Sequence, residues 1–161
     1  NKEFEKYSLN KSKTKKIAIC PGAAVKAKRW KLNNFLEVAK FLKTKRFDPI
    51  FILGPNEKEM RLSIQKTVGN FKIFESNDPL KTITFSKNCF FGLSNDTGCG
   101  HLISASGIPT LTIFGPTDAE KFLPIGNEKN AALSSQLNYK DKNINKITPV
   151  EVIEKISKWL T

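Results

Sequence analysis

The feature that most constrains the fold is a series of short apolar segments separated by stretches with helical periodicity. The apolar segments are continuous rather than alternating with polar residues, as in strands whose two faces are both buried. A strand followed by a helix, several times over, is typical of a parallel sheet. The predicted strands span 16–20, 49–53, 72–74, 89–93 and 110–114, with a shorter one near 131–133. The sequence therefore predicts an α/β fold, a Rossmann-like parallel sheet with helices on both faces and right-handed crossovers.

Capping residues indicate where the helices begin. Asn33 or Asn34 is expected to cap the first helix, whose apolar positions then recur at helical spacing. The pair Asp78-Pro79 predicts the start of a short helix. The strongest signal is Thr148-Pro149-Val150-Glu151, which combines an N-cap, a proline at the first helical position and a glutamate three residues after the cap.

Length and composition favour a single folded domain. With 161 residues, of which 39% are hydrophobic, the chain is long enough to bury a core without disulfides or metals. Residues 1–14 are polar and rich in Lys and Asn, and we predict that they form a linker or the tail of a preceding segment. Residues 15–161 are predicted to form the domain. Because the chain begins with Asn1, we expect it to be a piece of a longer protein.

The cysteines and the single histidine indicate the compartment and argue against a metal site. Three cysteines, none of them in a C-x-x-C pair, are typical of reduced thiols in a cytoplasmic protein. One histidine gives poor support for zinc ligation, so no metal and no other cofactor is predicted. The sequence has no signal peptide and no run of about 20 apolar residues, the length that crosses a membrane.

The formal net charge of +12 would attract nucleic acids, anionic lipids or phosphorylated small molecules. One basic cluster, 26–31, lies in a loop that also contains glycine and tryptophan. A solvated, lysine-rich surface without a partner explains the remaining charge equally well. The lysines are dispersed, and no RNA-recognition or helix-turn-helix signature is present, so a nucleic-acid partner is disfavoured.

Three loops after predicted strands carry the residues that suggest ligand chemistry. Parallel sheets gather their ligand sites at the carboxyl ends of the strands. The loops begin at Pro21, Gly54 and Asn95, after the first, second and fourth strands. The signatures G-x-G-x-x-G and G-x-x-x-x-G-K-[ST] are both absent. A dinucleotide oxidoreductase and a P-loop ATPase therefore lose their main support.

The first two loops each offer one candidate ligand-binding residue. Lys28 follows small residues that let the backbone approach a ligand closely, and its ammonium could neutralise a phosphate. Glu57 stands where a carboxylate can accept both hydroxyls of a ribose. The alternatives are an ordinary surface lysine and a glutamate favoured near a helix start by the helix dipole.

The third loop contains Asn95-Asp96-Thr97-Gly98, followed by His101, the only histidine of the chain. Thr97 and Gly98 offer backbone amides and a hydroxyl to a diphosphate at a helix N-terminus. Asp96 is expected either to cap the helix or to accept sugar hydroxyls beside the phosphates. His101 is expected on the same helix face, where it could bind a sugar hydroxyl or a phosphate. The alternative is a histidine that packs on a neighbouring residue.

Together these residues resemble the carboxyl-terminal half of glycosyltransferase family 9, the bacterial lipopolysaccharide heptosyltransferases. The similarity covers about residues 16–127, and D-T-G-x-x-H followed by G-x-P-T and F-G-P-T is a specific combination. The motifs, in chain order, are Pro21-Gly22-Ala23, Lys28-Arg29-Trp30, Leu53-Gly54-Pro55-Asn56-Glu57, Asn95-Asp96-Thr97-Gly98-Cys99-Gly100-His101, Ala105-Ser106-Gly107-Ile108-Pro109-Thr110 and Phe114-Gly115-Pro116-Thr117.

The resemblance implies a two-lobed GT-B glycosyltransferase, in which this chain is the lobe that binds the nucleotide-sugar donor. Lys28 would then contact the donor phosphates and Glu57 would hold the ribose. The implied donor is ADP-heptose, and the implied acceptor is the lipopolysaccharide core at the cytoplasmic membrane face, where the basic surface would contact anionic lipid. The substrate-binding residues implied are Lys28, Glu57, Asp96, Thr97, Gly98 and His101.

Two features depart from the family pattern. Cys99-Gly100 stands where Pro-Met is more usual, and the amino-terminal lobe, which holds the acceptor site and the proposed aspartate base, is missing. The chain is therefore predicted to bind the donor and to contain no catalytic residue of its own. A non-catalytic nucleotide-binding module is the main alternative, and a basic nucleic-acid-binding domain is a weaker one.

Overall fold

A computed structural model of the protein describes residues 14–161. These residues form a six-stranded, entirely parallel sheet, which confirms the predicted α/β architecture. The strands are β1 (Lys16–Cys20), β2 (Asp48–Leu53), β3 (Lys72–Glu75), β4 (Phe91–Asn95), β5 (Thr110–Phe114) and β6 (Ala131–Ser134).

Helices lie between the strands and after the last one. They are α1 (Leu32–Thr44), α2 (Lys58–Lys66), α3 (Pro79–Ser86), α4 (Gly98–Ala105), α5 (Ala119–Phe122), α6 (Ser135–Tyr139) and α7 (Pro149–Leu160), with 3-10 turns at Lys26–Lys28 and Ile144–Lys146. No helix within residues 14–161 is both long and apolar enough to cross a membrane. The predicted linker, residues 1–14, lies outside the described part of the chain except for Thr14.

The order of the strands across the sheet predicts a crevice at the carboxyl ends of the two central strands, β1 and β4. The order is β3-β2-β1-β4-β5-β6, so the chain builds outward from β1 in one direction and then from β4 in the other. The loops that leave β1 and β4 diverge at this reversal. In open α/β sheets, the crevice between two such loops is the usual place for a ligand. Cys20 pairs with Ser94 across the two strands, so the two loops start level with each other.

Both faces of the sheet are buried, which explains the continuous apolar strands. In β1, Ile17 and Ile19 belong to the larger core cluster, whereas Ala18 and Cys20 belong to a smaller cluster on the opposite face. The residues of β1 from Ile17 to Cys20 are therefore almost inaccessible. The smaller cluster also contains Ile103 of α4, which approaches the sheet closely.

Two predicted boundaries, the start of α1 and the start of β4, are wrong. Helix α1 begins at Leu32, so Asn33 and Asn34 lie inside its first turn. The preceding residue, Lys31, makes no side-chain cap, and its backbone N–H donates to the side chain of Asn145 instead. Strand β4 begins two residues later than predicted because the end of α3 continues through a turn to Cys89. The strand consequently extends to Asn95.

The predicted start of α7 is confirmed. The Thr148 hydroxyl accepts the N–H of Glu151, and the Glu151 carboxylate accepts the N–H of Thr148 at 2.7 Å, which together form a capping box. The buried face of α7 includes Val152 and Ile156, which pack into the larger core cluster. The cap therefore stabilises a helix on which one side of the core depends.

We expect Thr148→Ala to lower the free energy of unfolding by about 1 kcal/mol, because it removes an N-cap hydroxyl and one half of the capping box. Thr148→Ser keeps the hydroxyl and is the matched control, with an expected change below about 0.5 kcal/mol. Urea unfolding followed by circular dichroism measures both values. Equal losses in the two variants would contradict a capping role for the hydroxyl.

Candidate functional site

A cleft of about 470 Å³ opens at the carboxyl edge of the sheet. Its walls come from the loops after β1, β2 and β3 and from the beginnings of α3 and α4. The residues along these walls include Gly22, Arg29, Glu57, Asn77, Asp78, Thr97, Gly98 and Cys99. The cleft therefore lies where the reversal of strand order predicts a ligand site.

The Glu57 side chain lies in the cleft wall, where it contacts Gly54, close to it in the chain, and the more distant Gly22. It is the residue before α2, but its side chain does not cap that helix. Its Oε2 accepts the N–H of Gly54 at 2.8 Å. Its Oε1 lies so close to Gly22 that a Cβ atom at that position would sit 1.6 Å from it. The carboxylate thus joins the β1 and β2 loops, and any side chain at position 22 would displace it.

Lys28, Asp96 and His101 form a polar cluster next to the cleft. The Lys28 Nζ lies 2.9 Å from the Asp96 Oδ2, and the His101 Nε2 lies 3.9 Å from the Asp96 Oδ1. Asp96 is 7% exposed, whereas the Lys28 and His101 side chains are 30% and 50% exposed. The three side chains are not part of the cleft wall, but their chain neighbours Arg29 and Thr97 are.

The ion pair leaves Lys28 able to bind an anion. An ammonium has three N–H donors, and Asp96 uses one of them. The partial exposure of Lys28 leaves the remaining donors accessible to a ligand oxygen. Asp96 itself is mostly buried and depends on Lys28 to offset its charge, since an unpaired buried carboxylate is costly.

Arg29 supplies positive charge directly to the cleft. Its Nε donates to the Ala23 carbonyl at 2.6 Å, so the guanidinium folds back over its own loop. Arg29 belongs to the cleft wall. The sequence motif Lys28-Arg29-Trp30 contained this residue, but the choice of Lys28 alone as the phosphate-binding residue missed it.

Helix α4 points its N-terminus at the cleft. Thr97, and not Asp96, is the N-cap, because its hydroxyl accepts the Gly100 N–H at 3.3 Å. The predicted capping role of Asp96 is therefore wrong. The helix supplies no partner for the amides of Gly98 and Cys99, which lie in its first turn. These amides and the helix dipole favour an anion at this point.

Two thiols lie side by side in the cleft wall. Interaction with the Cys99 thiol, together with burial, raises the pKa of Cys20 well above its ordinary value. Cys20 is 3% exposed and Cys99 is partly exposed. Burial raises the pKa of Cys89, which is outside the cleft, to about 12. Within residues 14–161, no group of three or more His, Cys, Asp or Glu residues could hold a metal ion.

The structure brings the six predicted site residues to one edge of the sheet in two groups. Glu57, Thr97 and Gly98 line the cleft, and Lys28, Asp96 and His101 form the adjacent cluster. A third wall of the cleft, in which Ser76, Asn77 and Asp78 follow β3, was not predicted from the sequence. Only the position of this turn after a predicted strand could have indicated it.

The comparison with known families gives one match over most of the chain. The model of glycosyltransferase family 9 (heptosyltransferase) matches residues 1–150. A lipooligosaccharide heptosyltransferase 2 of Campylobacter jejuni subsp. jejuni is 31% identical over 137 residues, which are 81% of this chain and 43% of the relative. The enzyme of the same name from Haemophilus influenzae is 24% identical over 135 residues, which are 79% of this chain and 39% of the relative. The chain thus spans about two fifths of the length of these curated relatives.

Solved structures support the same fold. The E. coli heptosyltransferase WaaC, solved with ADP, superposes with a TM-score of 0.80 at 17% identity, covering 91% of this chain and 44% of that one. The E. coli ADP-heptose lipopolysaccharide heptosyltransferase II superposes with a TM-score of 0.77 at 20% identity, covering 97% of this chain and 51% of that one. The fold corresponds to about half of a GT-B glycosyltransferase.

We expect iodoacetamide to alkylate Cys99 first in the folded protein, because it is the partly exposed thiol of the three. Cys89 should react at least about 100-fold more slowly, since burial keeps it protonated and the thiolate is the nucleophile. Peptide mass spectrometry over a time course measures the order. The Cys99→Ser variant should lack the fast phase, and fast labelling of Cys89 in native protein would contradict the structure.

Proposed function

The chain belongs to glycosyltransferase family 9, the heptosyltransferases, and from this we propose that it is the donor-binding lobe of a two-lobed enzyme. In this proposal the lobe binds a nucleotide diphosphate sugar, ADP-heptose or a related donor. The match to about half of each relative and of each solved heptosyltransferase supports a single lobe. A neighbour solved with ADP and one solved with ADP-2-deoxy-2-fluoro heptose support the donor class.

The observation that carries the proposal is the convergence of three loops on one cleft. The Glu57 carboxylate lies against Gly22, and Lys28 is paired with Asp96, so each contact joins two loops that are far apart in the chain. The N-terminus of α4 lines the same cleft. One edge of the sheet therefore offers a carboxylate for hydroxyls and, beside it, amides and cations for phosphates.

The ribose is assigned to Glu57. Its carboxylate is already oriented by the Gly54 N–H, so binding a ligand requires little reorganisation of the side chain. A carboxylate can accept hydrogen bonds from two neighbouring hydroxyls, which is how acids in related folds hold ribose.

The diphosphate is assigned to Lys28, Arg29 and the first turn of α4. During transfer the bond between the sugar and the diphosphate breaks, and negative charge grows on the departing diphosphate. Fixed donors placed around this group stabilise the charge and lower the barrier. His101 and Asp96 would lie beside the phosphates. The Asp96 carboxylate would accept hydrogen bonds from sugar hydroxyls, and the His101 imidazole could donate or accept them.

The acceptor and the base that activates it are assigned to an amino-terminal lobe. We propose a lipopolysaccharide core or a similar surface glycan as acceptor, with the enzyme at the cytoplasmic face of the membrane. The names of the curated relatives support this acceptor class. In this arrangement the present chain orients the donor and stabilises the leaving group. The other lobe binds the acceptor and activates its hydroxyl, which is the nucleophile.

We expect ADP to stabilise the chain in a thermal-unfolding assay and adenosine to do so more weakly. Lys28→Ala should reduce ADP affinity at least about tenfold and leave adenosine affinity within twofold, because a charged hydrogen bond to phosphate is worth about 1.5–3 kcal/mol. Glu57→Gln should reduce the affinity for both ligands, because the ribose is common to them. Titration calorimetry measures the affinities.

Lys26→Ala is the matched control for these variants. Lys26 is exposed in the same 3-10 turn as Lys28, and its replacement changes the net charge equally. ADP affinity in this variant should stay within twofold of the original. The proposed function would be overturned if the chain were stabilised neither by ADP, nor by any other nucleoside diphosphate, nor by a nucleotide sugar.

We also propose that the basic surface holds the lobe near anionic lipid. Each Lys or Arg close to an anionic bilayer contributes about 1 kcal/mol, and the net charge of +12 offers several. The chain should co-sediment with phosphatidylglycerol vesicles at low salt and be released by about 0.5 M NaCl, where charges are strongly screened. Equal sedimentation with neutral phosphatidylcholine vesicles would contradict an electrostatic contact.

A further inference from the structure

The side chain of Asn95 bridges the two ends of the loop that carries Lys28. This loop, residues 21–30, connects β1 to α1 and is called the β1–α1 loop below. The Asn95 Nδ2 donates to the Pro21 carbonyl at 2.9 Å, and the Asn95 Oδ1 accepts the Trp30 N–H at 3.1 Å. Asn95 is completely buried at the end of β4.

The chemistry of this bridge requires a side chain that both donates and accepts hydrogen bonds. One end of the loop presents a carbonyl and the other presents an N–H, so the bridging group must donate and accept at once. Asparagine does both, whereas a carboxylate only accepts and an apolar side chain does neither. Because both partners are backbone groups, their donor and acceptor roles also fix which way the amide faces.

The remaining contacts shape the loop or tie it to parts of the chain other than β4, as when the Trp30 Nε1 donates to the Ile147 carbonyl at 2.8 Å and Gly22 lies against Glu57. Within the loop, the Lys28 N–H donates to the Val25 carbonyl and the Arg29 Nε donates to the Ala23 carbonyl. The contact from Lys28 to Asp96 is made by a flexible, partly exposed side chain. The buried amide of Asn95 is therefore the contact that ties the loop backbone to the strand that leads into α4.

We propose that Asn95 is a positioning residue that sets the distance between the β1–α1 loop and the N-terminus of α4. The role of these two elements as the halves of a phosphate site rests on the proposed function. Asn95 and Asp96 then act as neighbours, because the first fixes the loop backbone and the second pairs with the Lys28 ammonium. Without the bridge, the loop backbone loses its buried tie to β4, and the flexible Lys28–Asp96 ion pair remains between the loop and the start of α4.

The first test needs no nucleotide and is therefore independent of the proposed function. Hydrogen exchange of the ligand-free chain should be at least tenfold faster in residues 22–30 of Asn95→Ala than in the original protein. Asn95→Asp keeps the acceptor for Trp30 and loses the donor for Pro21. Its exchange should rise mainly in the first half of the loop.

The matched control is Ile156→Ala. Ile156 is fully buried in α7 and does not line the cleft, so its truncation lowers stability without touching the bridge. Loop exchange should rise more in the Asn95 variants than in Ile156→Ala when the variants are compared at matched stability in urea. Equal loop exchange in the Asn95 and Ile156 variants would overturn the proposal.

The second test measures coupling to the phosphate site. Asn95→Asp should weaken ADP binding about tenfold and adenosine binding less than twofold. In the Lys28→Ala background the same substitution should cost less than threefold, because the cation that it positions has been removed. Equal losses for ADP and adenosine, or full additivity with Lys28→Ala, would overturn the positioning role. If the original chain binds no nucleotide, the proposed function fails and the exchange experiment alone decides the inference.

Discussion

The constraint on which the rest of this structure depends is that a parallel sheet must be covered on both faces. Helices meet that need only if the chain crosses over between strands, and the crossovers run outward in two directions from the centre. The strand order β3-β2-β1-β4-β5-β6 records the reversal. The crevice between the β1 and β4 loops follows from this order, so the place of the site is a consequence of how the core is buried.

Within the crevice, the structure separates a group that suits hydroxyls from groups that suit phosphates. The carboxylate of Glu57 lies against Gly22 in the cleft wall, to which Arg29 and the first turn of α4 also belong, and Lys28 lies in the adjacent cluster. Asp96 pairs with Lys28, so the cluster carries no large uncompensated charge in the absence of a ligand. A nucleoside diphosphate contains both kinds of group, ribose hydroxyls and phosphates.

Local signals in the sequence predicted most of the fold, and contacts between distant residues account for what they missed. The cap at Thr148 and the pair Asp78-Pro79 act within a few residues and were predicted correctly. The residue before α1, Lys31, has no side-chain cap and bonds through its N–H to the distant Asn145, which no local pattern reveals. The candidate site follows the same division. Glu57 and His101 stood out by residue type, but the bridge formed by Asn95 depends on two backbone groups more than 60 positions away.

The sheet ends in two strands of only four residues each, β3 and β6. An open strand edge is a template on which another chain can add by main-chain pairing, and length and flatness make such pairing favourable. On one side, β3 begins with Lys72 and ends with Glu75, both exposed, and on the other, β6 turns directly into α6. Both edge strands are thus too short to pair well with a strand of another molecule. This limits aggregation through pairing of sheet edges.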